Sequence, residues 1–76
     1  MTDNWIQTFR LERSGSKLRI NSPRISNVVI DLREVRFMDI RYDQDGLYYI
    51  HTNMRAISGL SLVQAEMIFK EYQDAL

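Results

Sequence analysis

The chain contains no cysteine, which removes disulfide-stapled secreted folds and thiolate metal sites. With one proline and three glycines, it has no low-complexity tract or linker, and no internal repeat is visible. Its longest apolar runs, Val28-Val29-Ile30 and Leu47 to Ile50, are too short to cross a bilayer. The opening Met1 to Trp5 lacks the basic and apolar regions of a signal peptide. These absences lead to an expectation of a cytoplasmic protein with no membrane association.

What is present is 76 residues, 45% of them hydrophobic and 26% charged. That length suits a single domain over residues 1–76 that buries about 60% of the surface its unfolded chain exposes. The Met1 start and the helical pattern that runs out at Leu76 read as a complete small gene product.

A net charge of zero conceals an asymmetry. Residues 1–30 hold Arg10, Arg13, Lys17, Arg19 and Arg24 against Asp3 and Glu12, while residues 31–76 hold five basic and eight acidic groups. The first half is thus +3 and the second −3, and the five cations form a candidate basic patch. Eight of the ten basic residues are arginine, whose planar fork suits carboxylate, phosphate and aromatic partners. The same long stems also serve simply to cover sheet surface.

From Trp5 to Arg13 the residues alternate, with Trp5, Phe9 and Leu11 on one side, and Lys17 to Asn21 alternates again through Leu18 and Ile20. With Ser14-Gly15-Ser16 between them, the two runs predict a hairpin, closed by Pro23 because proline cannot donate to a ladder. Ile25 to Leu32 predicts a strand that runs on or kinks through Arg33-Glu34 toward Val35. Phe37 to Tyr42 and Leu47 to Thr52 flank Asp43-Gln44-Asp45-Gly46, and Asp-Gly supplies the positive φ of a hairpin turn.

Register follows from which face becomes apolar. A two-residue turn at Asp45-Gly46 would pair Ile40 with His51. A three-residue loop, Gln44 to Gly46 with Gly46 as the bulge residue, pairs Tyr42 with Tyr48, Ile40 with Ile50 and Met38 with Thr52, making one face apolar. The second register also sets Arg41 opposite Tyr49 and Asp39 opposite His51, both favourable cross-strand pairs, and is the one expected.

Ala56 to Ser58 reads as a short final strand before Gly59. Ser61 and Gln64 fit a capping box, and Leu62, Ala65, Ile68, Phe69, Tyr72 and Leu76 recur at helical spacing. The expected fold is α+β: an antiparallel sheet of four to five strands, ordered hairpin, strand, hairpin, short strand, with one C-terminal helix packed on a face. From Val28 to Tyr72 this order resembles that of many small prokaryotic and phage proteins, a likeness of pattern that implies no residue role.

Chemistry is harder to place. One histidine, no cysteine and no strand-turn-helix serine leave no nucleophile beside an oriented base. Asp39 and His51 form at most a dyad. A calcium loop with Gly46 at its sixth position would put Arg41 first and Thr52 twelfth, where Asp and Glu are required. Ser14-Gly15-Ser16-Lys17 lacks the first glycine and following hydroxyl of a phosphate loop. No catalytic residue, cofactor or metal ligand is assigned, and no enzyme activity is expected.

The expected function is a small protein-binding module, an accessory or inhibitor protein that acts as a homodimer or on a protein partner. One helix covers only part of such a sheet, leaving Phe37, Asp39, Arg41, Leu47, Tyr49 and His51 on the other face. Val63 and Met67 lie off the main helical stripe and complete the candidate interface. One alternative is single-stranded nucleic acid stacked on Trp5, Phe9, Phe37 and Tyr49 among Arg10, Arg19, Arg36 and Arg41. The computed pI of about 6.5 is far from the basic footprint of phosphate readers. Another alternative is a small acidic ligand or nucleotide held by arginines at an oligomer seam.

Overall fold

A computed structural model describes residues 9–22 and 25–76. Trp5, Pro23 and Arg24, which enter the expectations above, lie outside the described residues. Within them the chain forms β1 (Arg10–Ser14), β2 (Lys17–Ser22), β3 (Ile25–Asp31), a 3-10 turn (Leu32–Glu34), β4 (Met38–Tyr42), β5 (Tyr48–Thr52), β6 (Ala56–Leu60) and α1 (Leu62–Ala75). The class is α+β, but in place of one sheet there are two three-stranded antiparallel sheets, ordered β1-β2-β3 and β4-β5-β6.

The break between sheets is made by the residues after β3. The Asp31 side chain accepts a hydrogen bond from the Arg33 backbone N–H and opens the 3-10 turn, and the Val35 N–H closes it on the Leu32 carbonyl. Leu32 and Val35 are both buried, and their spacing of three suits a helical turn rather than the period-two alternation of a strand. The turn lowers both into the core and releases the chain to start a second sheet at Met38. Asn53 fastens this connection, its carboxamide accepting from the Arg36 N–H at 2.7 Å and donating to the Glu34 carbonyl at 3.1 Å.

In the first sheet Gly15, at φ 62°, is the first central residue of the two-residue turn between Ser14 and Lys17, where a II′ turn needs glycine. Leu18 and Ile20 of β2 stand opposite Ile30 and Val28 of β3, so one face is apolar. In the second sheet the observed pairs Met38 with Thr52, Asp39 with His51, Ile40 with Ile50, Arg41 with Tyr49 and Tyr42 with Tyr48 match the expected register. The turn itself differs. Asp45 and Gly46 both have positive φ, 54° and 77°, and the Leu47 N–H donates to the Gln44 carbonyl, which makes a primed turn at Asp45-Gly46. The extra residue is taken up one step earlier: the Asp43 N–H donates to the Leu47 carbonyl, so Asp43 and Gln44 together oppose Leu47 as a bulge.

A second bulge extends β6 past its expected end. Tyr48 pairs with Leu60 and Ile50 with Ile57, leaving Ser58 and Gly59 both opposite Tyr49, with Gly59 at φ 78°. Strict alternation from Ile57 would point Leu60 away from the core, and the added residue turns it back. Leu60 is wholly buried.

The helix begins with the expected capping box: the Gln64 N–H donates to Ser61 Oγ, and the Ser61 N–H donates to Gln64 Oε1, both at 3.1 Å. Its stripe of Ala65, Ile68 and Tyr72 joins Leu18, Ile20, Val28 and Ile30 of the first sheet and Met38, Ile50, Ile57 and Leu60 of the second in one buried cluster. The apolar faces of both sheets are therefore spent on a shared core.

Candidate functional site

The outer faces of the two sheets carry the residues singled out in the sequence. On β4 and β5 the pleat that sends Met38, Ile50 and Thr52 inward sends Asp39, Arg41, Tyr49 and His51 outward. Phe37, just before β4, remains 40% exposed, and its ring meets His51 edge-on with centroids 5.2 Å apart. Leu47, Tyr49 and His51 are partly buried. Phe37 and His51 thus meet at one end of this hairpin, Asp39, Arg41 and Tyr49 lie along its outer side, and Leu47 lies at the turn end.

Val63 and Met67 do not join them. They are 64% and 44% exposed and lie on the side of α1 away from Ala65, Ile68 and Tyr72. Because α1 packs on the inner face of the second sheet, its free side and that sheet's outer face point in opposite directions. The eight candidate interface residues therefore form two separate surfaces.

The expected contact between Asp39 and His51 is present as register only. The Asp39 carboxylate lies 3.5 Å from Arg41 Nη2, two residues along its own strand, while His51 Nδ1 is sealed from solvent with no hydrogen-bond partner. Among the described residues no carboxylate bonds to the imidazole, so Asp39 and His51 do not form the hydrogen-bonded geometry of a dyad.

The outer face of the first sheet forms a grid. Arg10 and Glu12 of β1 stand opposite Asn21 and Arg19 of β2, Ser14 opposite Lys17, and Arg19 and Lys17 opposite Val29 and Asp31 of β3. Two open depressions run over it, one of about 270 Å³ lined by Arg10, Glu12, Arg19, Asn21 and Asn27. The other, about 550 Å³, is lined by Glu12, Arg13, Ser14, Lys17, Arg19 and Val29. Sequence reasoning placed Arg10, Lys17 and Arg19 together and missed Glu12, Asn21, Asn27 and Val29; extending the alternation across the hairpin register would have found them.

Arg13 lines the second depression with Lys17 and Arg19 but is engaged elsewhere. It pairs with Leu18 on the inward-facing pleat, and its guanidinium reaches α1, where Nη1 donates to the Glu71 carbonyl at 3.2 Å and lies 3.4 Å from Glu71 Oε1. By contrast Arg10, Lys17 and Arg19 make no ion pair among the described residues. Asp31 at the edge of the grid is already engaged: the Arg33 guanidinium donates to both its oxygens at 3.2 and 3.0 Å. That bond, with the Arg33 N–H, holds the Asp31 carboxyl well below the usual carboxylate range.

Among the described residues no group of three His, Cys, Asp or Glu is placed to hold a metal ion, and no helix is long and apolar enough to cross a membrane. Comparison with known proteins found no matching family model, curated protein or solved structure.

Proposed function

We propose that this chain is a non-enzymatic protein-binding module, an accessory or inhibitor protein, that associates with a second copy of itself through the outer face of β4-β5-β6. The observation that carries this reading is Phe37, 40% exposed on a sheet whose inner face is already filled by α1. A large aromatic ring left partly in water against His51 is the kind of anchor that protein interfaces are built around.

The polar groups on this face suit self-association. Asp39 and Arg41 are two residues apart on β4, and a two-fold axis between them would set Asp39 of each copy against Arg41 of the other. The face sums to no net charge, which suits a protein surface better than a polyanion.

Charge weighs against the nucleic-acid alternative. Arg41 shares the face of Phe37 and Tyr49 and stands opposite Tyr49, but Asp39 lies 3.5 Å from its guanidinium, while Arg10 and Arg19 are on the first sheet and Phe9 packs against the core. Stacking platforms need an uncompensated basic groove beside the aromatic rings. The openness of both depressions likewise weighs against an enclosed small-ligand site.

Sedimentation equilibrium across about 1–100 µM protein tests the proposal. A mass rising from 9.0 kDa toward twice that value is expected. A mass constant at the monomer value refutes it.

A further inference from the structure

We infer that the outer face of β1-β2-β3 docks an extended, acid-rich segment of a partner protein. This goes beyond the self-association above and concerns a different surface.

Its first support is a set of unengaged charges. Arg10, Lys17 and Arg19 are exposed and without ion pairs among the described residues, although Glu12 stands directly opposite Arg19 in the ladder. Salt bridges take up Arg13, Arg33 and Arg41; Arg36, Arg55 and Lys70 are also without one among the described residues, but they lie in two connections and on α1, whereas Arg10, Lys17 and Arg19 are gathered on one sheet face.

Spacing is the second support. Lys17 and Arg19 are alternate residues of one strand, about 7 Å apart along it. An extended polypeptide presents its own alternate side chains at the same repeat, so two carboxylates of such a segment meet both cations without bending. Arg10 lies one strand over and one step further along, which continues the line. Asn21 and Asn27 in the same depression offer donors and acceptors suited to peptide groups.

The mixture of charges decides the class of partner. Glu12 lies between the cations and would repel a phosphodiester chain, whereas a polypeptide can set a basic or hydroxyl side chain against it. Val29, 52% exposed on the edge strand opposite Arg19, adds an apolar contact, and no aromatic residue lines either depression, so bases would find nothing to stack on.

The test measures binding of a fluorescein-labelled peptide of alternating glutamate and serine to the full chain by anisotropy. An oligothymidylate and a lysine-serine peptide serve as comparisons. Saturable binding of the acidic peptide is expected, weakening about tenfold from roughly 50 to 200 mM NaCl. Arg19→Glu, an exposed change checked by circular dichroism, should weaken it at least about tenfold while leaving self-association intact. No binding overturns the inference, as does oligothymidylate binding as tight as the peptide. Loss of self-association in Arg19→Glu also overturns it, since the occupant would then be a second copy of this chain.

Discussion

Phe37 is the residue on which the self-association proposal can be made quantitative. A phenylalanine side chain presents roughly 200 Å², so the 40% left exposed is about 80 Å². At about 25 cal/mol per Å² its burial contributes about 2 kcal/mol per copy, and a two-fold interface counts it twice, about 4 kcal/mol. Phe37→Ser should therefore raise the dimer dissociation constant about a thousandfold. Phe37 lies outside the buried cluster, so the variant should keep its far-ultraviolet circular dichroism and lose only association. Sedimentation velocity of both proteins over matched concentrations gives the two constants. A change under about threefold would refute the reasoning, because this ring would then not be what the two copies cover.

Other consequences follow from the core and its charges. Ile20→Ala in the first sheet and Ile68→Ala in the helix each empty a fully buried site and should cost about 2–5 kcal/mol. Both should lower one common urea transition, since the two sheets share a cluster; a first sheet that melts separately in Ile20→Ala would contradict the shared core. His51→Phe removes a sealed nitrogen without a partner and should be neutral or stabilising by up to about 1 kcal/mol, read as a shift in urea midpoint at constant slope; clear destabilisation would mean Nδ1 is engaged. The Asp31 carboxyl is depressed by Arg33, so its contribution is present above the ordinary carboxylate range and is lost as pH falls through that range toward the lower folded value. Asp31→Asn should accordingly show a shallower loss of thermal stability than the parent chain between about pH 4 and 2; identical slopes would contradict this.

Much of the local structure was legible because its causes are local. The capping pair Ser61 and Gln64 and the stripe through Ala65, Ile68 and Tyr72 define the helix without reference to anything else. The β4-β5 register followed from requiring one apolar face, yet the position of its bulge did not. Asp45-Gly46 takes the primed turn that its own sequence favours, and the odd residue is displaced to Asp43-Gln44. Phe37, Asp39, Arg41, Tyr49 and His51 were placed together by alternation alone. Val63 and Met67 were joined to them only by polarity, and the packing of α1 on the inner face separates them.

The sequence by itself determined which segments extend, where the helix starts, and which side chains share a strand face, because alternation and capping act between residues a few positions apart. Only the tertiary structure decided that the chain divides into two sheets at Leu32 to Val35, that Leu60 returns to the core through Gly59, and that the Arg13 guanidinium is taken up by Glu71. Each of those outcomes depends on which distant faces meet. That choice minimises exposed apolar surface over the whole chain at once, and no short window of residues contains the sum.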